Sequence, residues 1–261
     1  LVEALKSITN EKLKGYDIHY AGQPYLTGEI PNLISKDVRK LMLIGIIIML
    51  LVLGLNFQSI YAVFSVILTT IFALIGMMGF MGWVLKLSGS NRFLFTLVNT
   101  SMPIILLTIA NSDGVHVLTK FFKELRNKKD VRLALASSMD SLLVPIFLTS
   151  ITTIAAFLTM VTSPLEPMIG YGITMSAGIT WAWLLSSLML PAVMSLKKWD
   201  LESNAITKPS IFEKGINKLG KIVLTHPKYV FSTGAFFVII GIFALTKVTV
   251  DVNLSNFFKP G

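Results

Sequence analysis

Six stretches of this chain are apolar over a length that matches the thickness of a lipid bilayer, and nothing else in the sequence restricts its fold so severely. A hydrocarbon core of about 30 Å takes roughly 17 to 25 helical residues to cross. The runs that qualify cover residues 38–55, 60–82, 94–118, 142–162, 168–196 and 229–246. The first is purely apolar only from Leu41 to Leu55, and Val38 with the snorkelling stems of Arg39 and Lys40 extends it. The fifth carries Gly170, Gly172, Gly178 and Pro191, small or kinking residues that let helices approach closely in a bilayer. Residues are 53% hydrophobic and only 14% charged, and the charges are clumped. The fold class is therefore an all-α polytopic membrane protein with six transmembrane helices.

The net charge of +9 has to be read by location. Its Lys and Arg fall between apolar runs with no aromatic-basic motif beside them, which argues against nucleic acid as a partner. Lys120, Lys123, Arg126, Lys128, Lys129 and Arg132 follow the third run, and Lys197, Lys198, Lys208, Lys214, Lys218, Lys221 and Lys228 follow the fifth. The positive-inside rule puts both segments in the cytoplasm. On the other side, residues 83–96 hold only Lys86 and Arg92, and 162–167 hold no basic residue. Six crossings then place both ends outside the cytoplasm.

Those ends read as pieces of larger domains. Residues 2–14 have helical character, YDIHYAG alternates like a strand, and EIPNLISKDVRKL leads as a helix into the membrane. KVTVDVNLSNFF at the other end again alternates like a strand. In the basic connector, INKLGKIVL has the pattern of a short amphipathic helix lying on the membrane surface. A second helix starts at Asp130, a suitable N-cap, and passes through RLALASSM into the fourth run.

Asp113 is the only acidic residue well inside a run, roughly 10 Å along the helix from Lys120. An isolated intramembrane carboxylate costs several kcal/mol unless it is protonated, paired or wetted, so it marks a functional site by default. His116 lies three residues on, about 60° round the helix, so the two titratable groups share a face with Lys120. Asn111, and Thr149, Thr152 and Thr153 in the next run, are candidate polar partners. A plainer arrangement has Asp113 paired with His116 or Lys120 to hold the bundle, His116 as a packing residue, and each Thr bonded back to its own helix. Enzyme signatures such as HExxH, GxSxG or a phosphate-binding Gly-rich loop do not occur. With no Cys and three scattered His there is no metal-site pattern either, and Glu166, between prolines in SPLEPM, reads as a turn residue.

From ANSDGVHV through TSITT to GYGITMSAG and MLPAVMSL, the sequence resembles the membrane core of resistance-nodulation-cell division (RND) superfamily exporters, on their MMPL-like branch. That family has an Asp in its fourth helix, a His-containing turn, a basic cytoplasmic loop, a TSxTT stretch in its fifth helix and a Gly-rich sixth helix ending in LP. Asp113, His116, Thr149 to Thr153, and Gly170 to Pro191 occupy these places. YAGQPYLTGEIPNLISKD is similar to the end of the family's first porter domain, and VTVDVNLSNFFKPG to the entry into its second. Many relatives have Asp-Tyr where this chain has Asp113-Gly114. The resemblance implies that residues 1–37 close a first porter domain, 38–196 form a five-helix core similar to sterol-sensing domains, and 197–228 are a cytoplasmic connector. It further implies a sixth span at 229–247 and the start of a second porter domain at 248–261, each porter piece being partly α/β.

The activity implied is proton-driven export of lipids or other hydrophobic compounds across a bacterial inner membrane, with no enzymatic catalysis and no cofactor beyond the proton gradient. Asp113 and His116 would form the proton relay. Membrane lipids, a hydrophobic substrate, the remaining half of the transporter and a homo-oligomer are the partners that fit. Two other classes share parts of this pattern, a membrane ligand sensor like the sterol-sensing domains and a SecD/SecF-like helper of protein secretion.

Overall fold

The computed structural model describes residues 2–16, 18, 20, 22–96, 98–207 and 211–248. It divides into two units, Leu1–Ser210 and Ile211–Gly261. No strand occurs among the described residues.

The first unit opens with α1 (Val2–Lys12) and α2 (Gln23–Phe57), the latter a single helix that runs from the polar approach into the first span. A two-residue turn, with Gln58 in the left-handed region at φ 50°, reverses the chain into α3 (Ile60–Ser88). Ser59 caps α3 by accepting a hydrogen bond from the Ala62 N–H at 3.4 Å. Short 3₁₀ turns at Asn91–Phe93 and Val98–Ser101 then lead to α4 (Met102–Lys128). Lys129, at φ 53°, ends α4, and Asp130 accepts from the Leu133 N–H at 2.8 Å to start α5 (Val131–Leu158). So short a connection makes α4 and α5 antiparallel neighbours. A 3₁₀ turn, Thr159–Thr162, precedes α6 (Glu166–Leu184), which passes through a π turn, Leu185–Met189, into α7 (Leu190–Leu196). The short α8 (Asn204–Thr207) closes the unit.

Helices α3, α4, α5 and α6 form the bundle. Small residues set its spacing. A Cβ on Gly178 would stand 2.7 Å from Met77 Cγ, one on Gly76 would enter the Trp181 ring, and one on Gly170 would fall on the Arg92 carbonyl. A Cβ on Gly172 would meet the Phe157 carbonyl and lie 2.9 Å from Met160 Cβ. In lipid, where apolar surface gains little by leaving its solvent, this close approach supplies the attraction between helices. Ser65, Thr69 and Thr70 on α3 are buried because each donates to a carbonyl one turn back.

Two apolar clusters fill the interior. One gathers Met77, Met102, Leu106, Ala110, Met175 and Ile179. The other gathers Leu53, Val66, Val117, Leu118, Phe121 and Met194. An aromatic group closes the second: Trp199 packs edge-on against Tyr61, Phe121 and Phe122, and Lys197 lies 4.4 Å above its ring. The second unit consists of α9 (Ile211–Thr225) and α10 (Pro227–Leu245).

Among the described residues six helices are long and apolar enough to span, and they match the six runs read from the sequence. Their limits differ, at Ile34–Phe57, Ile60–Ser88, Val98–Lys128, Val131–Thr162, Glu166–Leu196 and Pro227–Leu245. The third starts later than residue 94 and continues ten residues past 118, so Lys120, Lys123, Arg126 and Lys128 sit on helix and not in a loop. Polar residues with good helix propensity continue a helix past the bilayer edge, where hydropathy has stopped reporting. Glu166 is likewise helical: it opens α6 in a first turn that favours an acid, with Arg92 Nε at 3.7 Å. Ile18, Tyr20 and Gly22 of the expected strand are not in one. A lone extended segment leaves its N–H and C=O groups without a ladder partner. The expected strand after Val248 lies outside the described residues, and porter-domain pieces are not among the described elements.

Candidate functional site

Asp113 stands midway along α4, between Ala110 in one apolar cluster and Val117 in the other. Among the described residues it is the only buried acid, at 7% exposure. Its neighbour Gly114 lets α3 come close, since a Cβ there would be 3.1 and 3.3 Å from the two Val66 methyls. Close approach on that side leaves the carboxylate to face α5.

A cavity of about 280 Å³ opens between α4 and α5. Asp113, His116, Ser112 and Ile109 line it from α4, and Leu142, Pro145, Ile146, Thr149, Ser150 and Thr153 from α5. Pro145 has no N–H and takes one rung from the α5 ladder, so the Ser141 carbonyl loses its usual donor beside the cavity. Asp113 Oδ2 is buried and has no hydrogen-bond partner among the described residues. Lys120 is held by Glu124 at 3.4 Å, one turn further along α4, and not by Asp113. His116 is exposed at the cavity and makes no hydrogen bond or ion pair to Asp113.

The threonines divide. Thr149 donates to the Ile146 carbonyl at 2.8 Å and Thr153 to the Thr149 carbonyl at 2.7 Å, with both side chains at the cavity. Their protons are used within the helix, but their oxygens keep lone pairs that can accept from water or from a protonated acid. Thr152 donates to its own helix on the exposed side and does not line the cavity. Asn111 is also elsewhere: two residues from Asp113 it faces another side of α4, where its Oδ1 is buried without a partner. Gly170, Gly172 and Gly178 lie in the α6 contacts already described, away from the cavity. Sequence reasoning missed Ser112, Pro145 and Ser150. Ser150 follows Thr149 in the TSITT stretch, and its burial at 4% gives it a place the threonines lack.

Among the described residues no group of His, Cys, Asp and Glu is arranged to hold a metal ion. A buried carboxylate without a partner among the described residues, beside a largely apolar cavity edged by Ser and Thr hydroxyls, marks this part of the bundle as the candidate functional site. The chain belongs to the MMPL family, whose model matches residues 1–221, and the members of that family are transporters. No match was found among curated proteins or among solved structures.

Proposed function

We propose that this chain is the membrane core of a proton-coupled exporter of lipids or other hydrophobic molecules, in which Asp113 takes up and releases the coupling proton. The observation that carries the reading is the buried Asp113 oxygen, unpartnered and facing a cavity between two packed helices. A charged carboxylate in that position demands a donor or water, whereas a neutral one does not. Protonation therefore favours a closed α4–α5 contact and deprotonation a wetted one, which is the bistable element a transporter needs. Exposed His116 gives a proton a route between the cavity and the Lys120 end of α4. Thr149 and Thr153 supply acceptors for the acid when it is protonated.

Membership of the MMPL family supports the hydrophobic substrate class. The charge pattern and the resemblance support a location in a bacterial inner membrane with the Lys120–Arg132 segment cytoplasmic. The test is Asp113→Asn in the full-length protein, since the amide copies the neutral acid in size but cannot cycle a proton. Expression, membrane insertion and gradient-driven efflux are measured on the same membranes, with His116→Ala in parallel. Asp113→Asn should insert normally and lose efflux. Normal gradient-dependent efflux removes the proton-carrier assignment and moves the sterol-sensing-like reading ahead, and loss of folded protein returns Asp113 to a structural role.

A further inference from the structure

The second unit presents a surface that the export reading does not use. Helix α9 has the sequence IFEKGINKLGKIVLT. At roughly 100° per residue, Ile216, Leu219, Ile222 and Val223 fall within an arc of about 120°, and all four are exposed. Lys218 and Lys221 follow that arc on one side, and only Leu224, in the last turn, departs from the pattern. Across residues 211–228 the charges are Lys214, Lys218, Lys221 and Lys228 against Glu213.

Connectivity fixes where this face must be. Helix α10, long and apolar enough to span, begins at Pro227, one residue after His226. The last turn of α9 is therefore tethered within about 7 Å of the end of a spanning helix. His226 continues the α9 ladder by donating its N–H to the Ile222 carbonyl at 2.9 Å. Its ring stands edge-on to Tyr229, and a groove of about 420 Å³ lies between the helices, lined by Ile222, His226, Tyr229, Val230 and Thr233. A Tyr beside an apolar groove is a side chain that settles at headgroup depth.

We infer that α9 is an in-plane anchor selective for anionic phospholipid. Its apolar arc lies at the acyl boundary, and Lys218, Lys221 and Lys228 meet lipid phosphates. An apolar arc alone would suit any bilayer or a protein groove, but the four-to-one excess of basic over acidic residues matches a negatively charged lipid surface. The inference does not depend on Asp113 or on which leaflet α9 faces.

The chain has no cysteine, so Leu219→Cys creates a unique attachment point for an environment-sensitive fluorophore, and Asn217→Cys, about 160° from the middle of the apolar arc, one on the opposite face. The full chain is reconstituted in phosphatidylcholine and in a phosphatidylcholine–phosphatidylglycerol mixture, and doxyl lipids are used to read depth. The label at 219 should be quenched in the anionic bilayer and much less in the neutral one, and the label at 217 should stay aqueous in both. Each lysine near an anionic surface is worth about fivefold in the docked-to-free ratio, so Lys218→Gln with Lys221→Gln should lower that ratio roughly 25-fold. Equal burial of residue 219 in both bilayers overturns the lipid selectivity. A label that stays aqueous in both, or is shielded only when another protein is added, overturns the membrane assignment.

Discussion

Replacing Gly114 by Ala tests the α3–α4 contact that turns Asp113 toward the cavity. The added methyl would lie 3.1 Å from Val66 Cγ1 and 3.3 Å from Cγ2. Ordinary carbon contacts are about 3.5 to 4.0 Å, so the helices must part by roughly 0.5 Å or Val66 must move. Val66 is fully buried and β-branched, with a stiff χ1, so it yields little. Overpacking of this kind costs about 1 to 3 kcal/mol, against a gain of up to about 1 kcal/mol from better helix propensity. The net expectation is a loss of about 0.5 to 2 kcal/mol. Val66→Ala alone also destabilises, because it leaves a cavity. The double variant should be more stable than the sum of the singles predicts, by about 1 to 2 kcal/mol. Reversible unfolding in mixed micelles, followed by Trp fluorescence, supplies the four stabilities of the cycle. Additivity within about 0.5 kcal/mol would show that the two residues do not press on one another and would refute the reasoning.

Asp130→Ala removes the acceptor for the Leu133 N–H and should cost about 1 kcal/mol in the same unfolding assay, with Asp130→Asn restoring most of it. Gly170→Ala should be far worse than Gly114→Ala, because its methyl meets the backbone carbonyl of Arg92, which has no rotamer to move; a near-normal yield of folded protein would contradict the packing. An introduced cysteine at Ser163 should react with an impermeant thiol reagent from outside the cytoplasm and one at Asn127 should not. The opposite labelling reverses the proposed orientation.

Hydropathy made the six spans readable because lipid leaves the backbone no alternative to helix over such lengths. The same rule says nothing once a helix leaves the bilayer, which is why α2 begins at Gln23 and α4 ends at Lys128, well beyond their apolar runs. Asp113 was readable for the same reason that the spans were, since a carboxylate among apolar neighbours stands out without any structure. Its surroundings were less so. Helical spacing put His116 on its face, but spacing within one helix cannot say which side α5 presents. That depended on the turn at Lys129 and Asp130 and on Gly114 admitting α3, and it brought in Thr149, Ser150 and Thr153 while leaving Thr152 and Asn111 outside. The alternation of YDIHYAG is not matched by a strand at Ile18, Tyr20 or Gly22, because a two-residue period is evidence for a strand only where another strand is available to pair with it.

The π turn at Leu185–Met189 bears on how this chain tolerates changes in length. Its N–H groups reach one residue further back than α-helical ones, as the bond from Leu190 to the Leu185 carbonyl shows, so the turn stores one residue that a regular helix would not need. Ile179 and Ala182 before it and Leu190 and Met194 after it all remain buried. Loss of a single codon within 185–189 would convert the turn to α-helix and leave both sets of side chains facing inward. Loss of one elsewhere in α6 would rotate one flank by about 100° and carry it out of the bundle. Among the α6 and α7 positions, this turn is therefore where a gene encoding the protein can lose a codon at least cost to the fold.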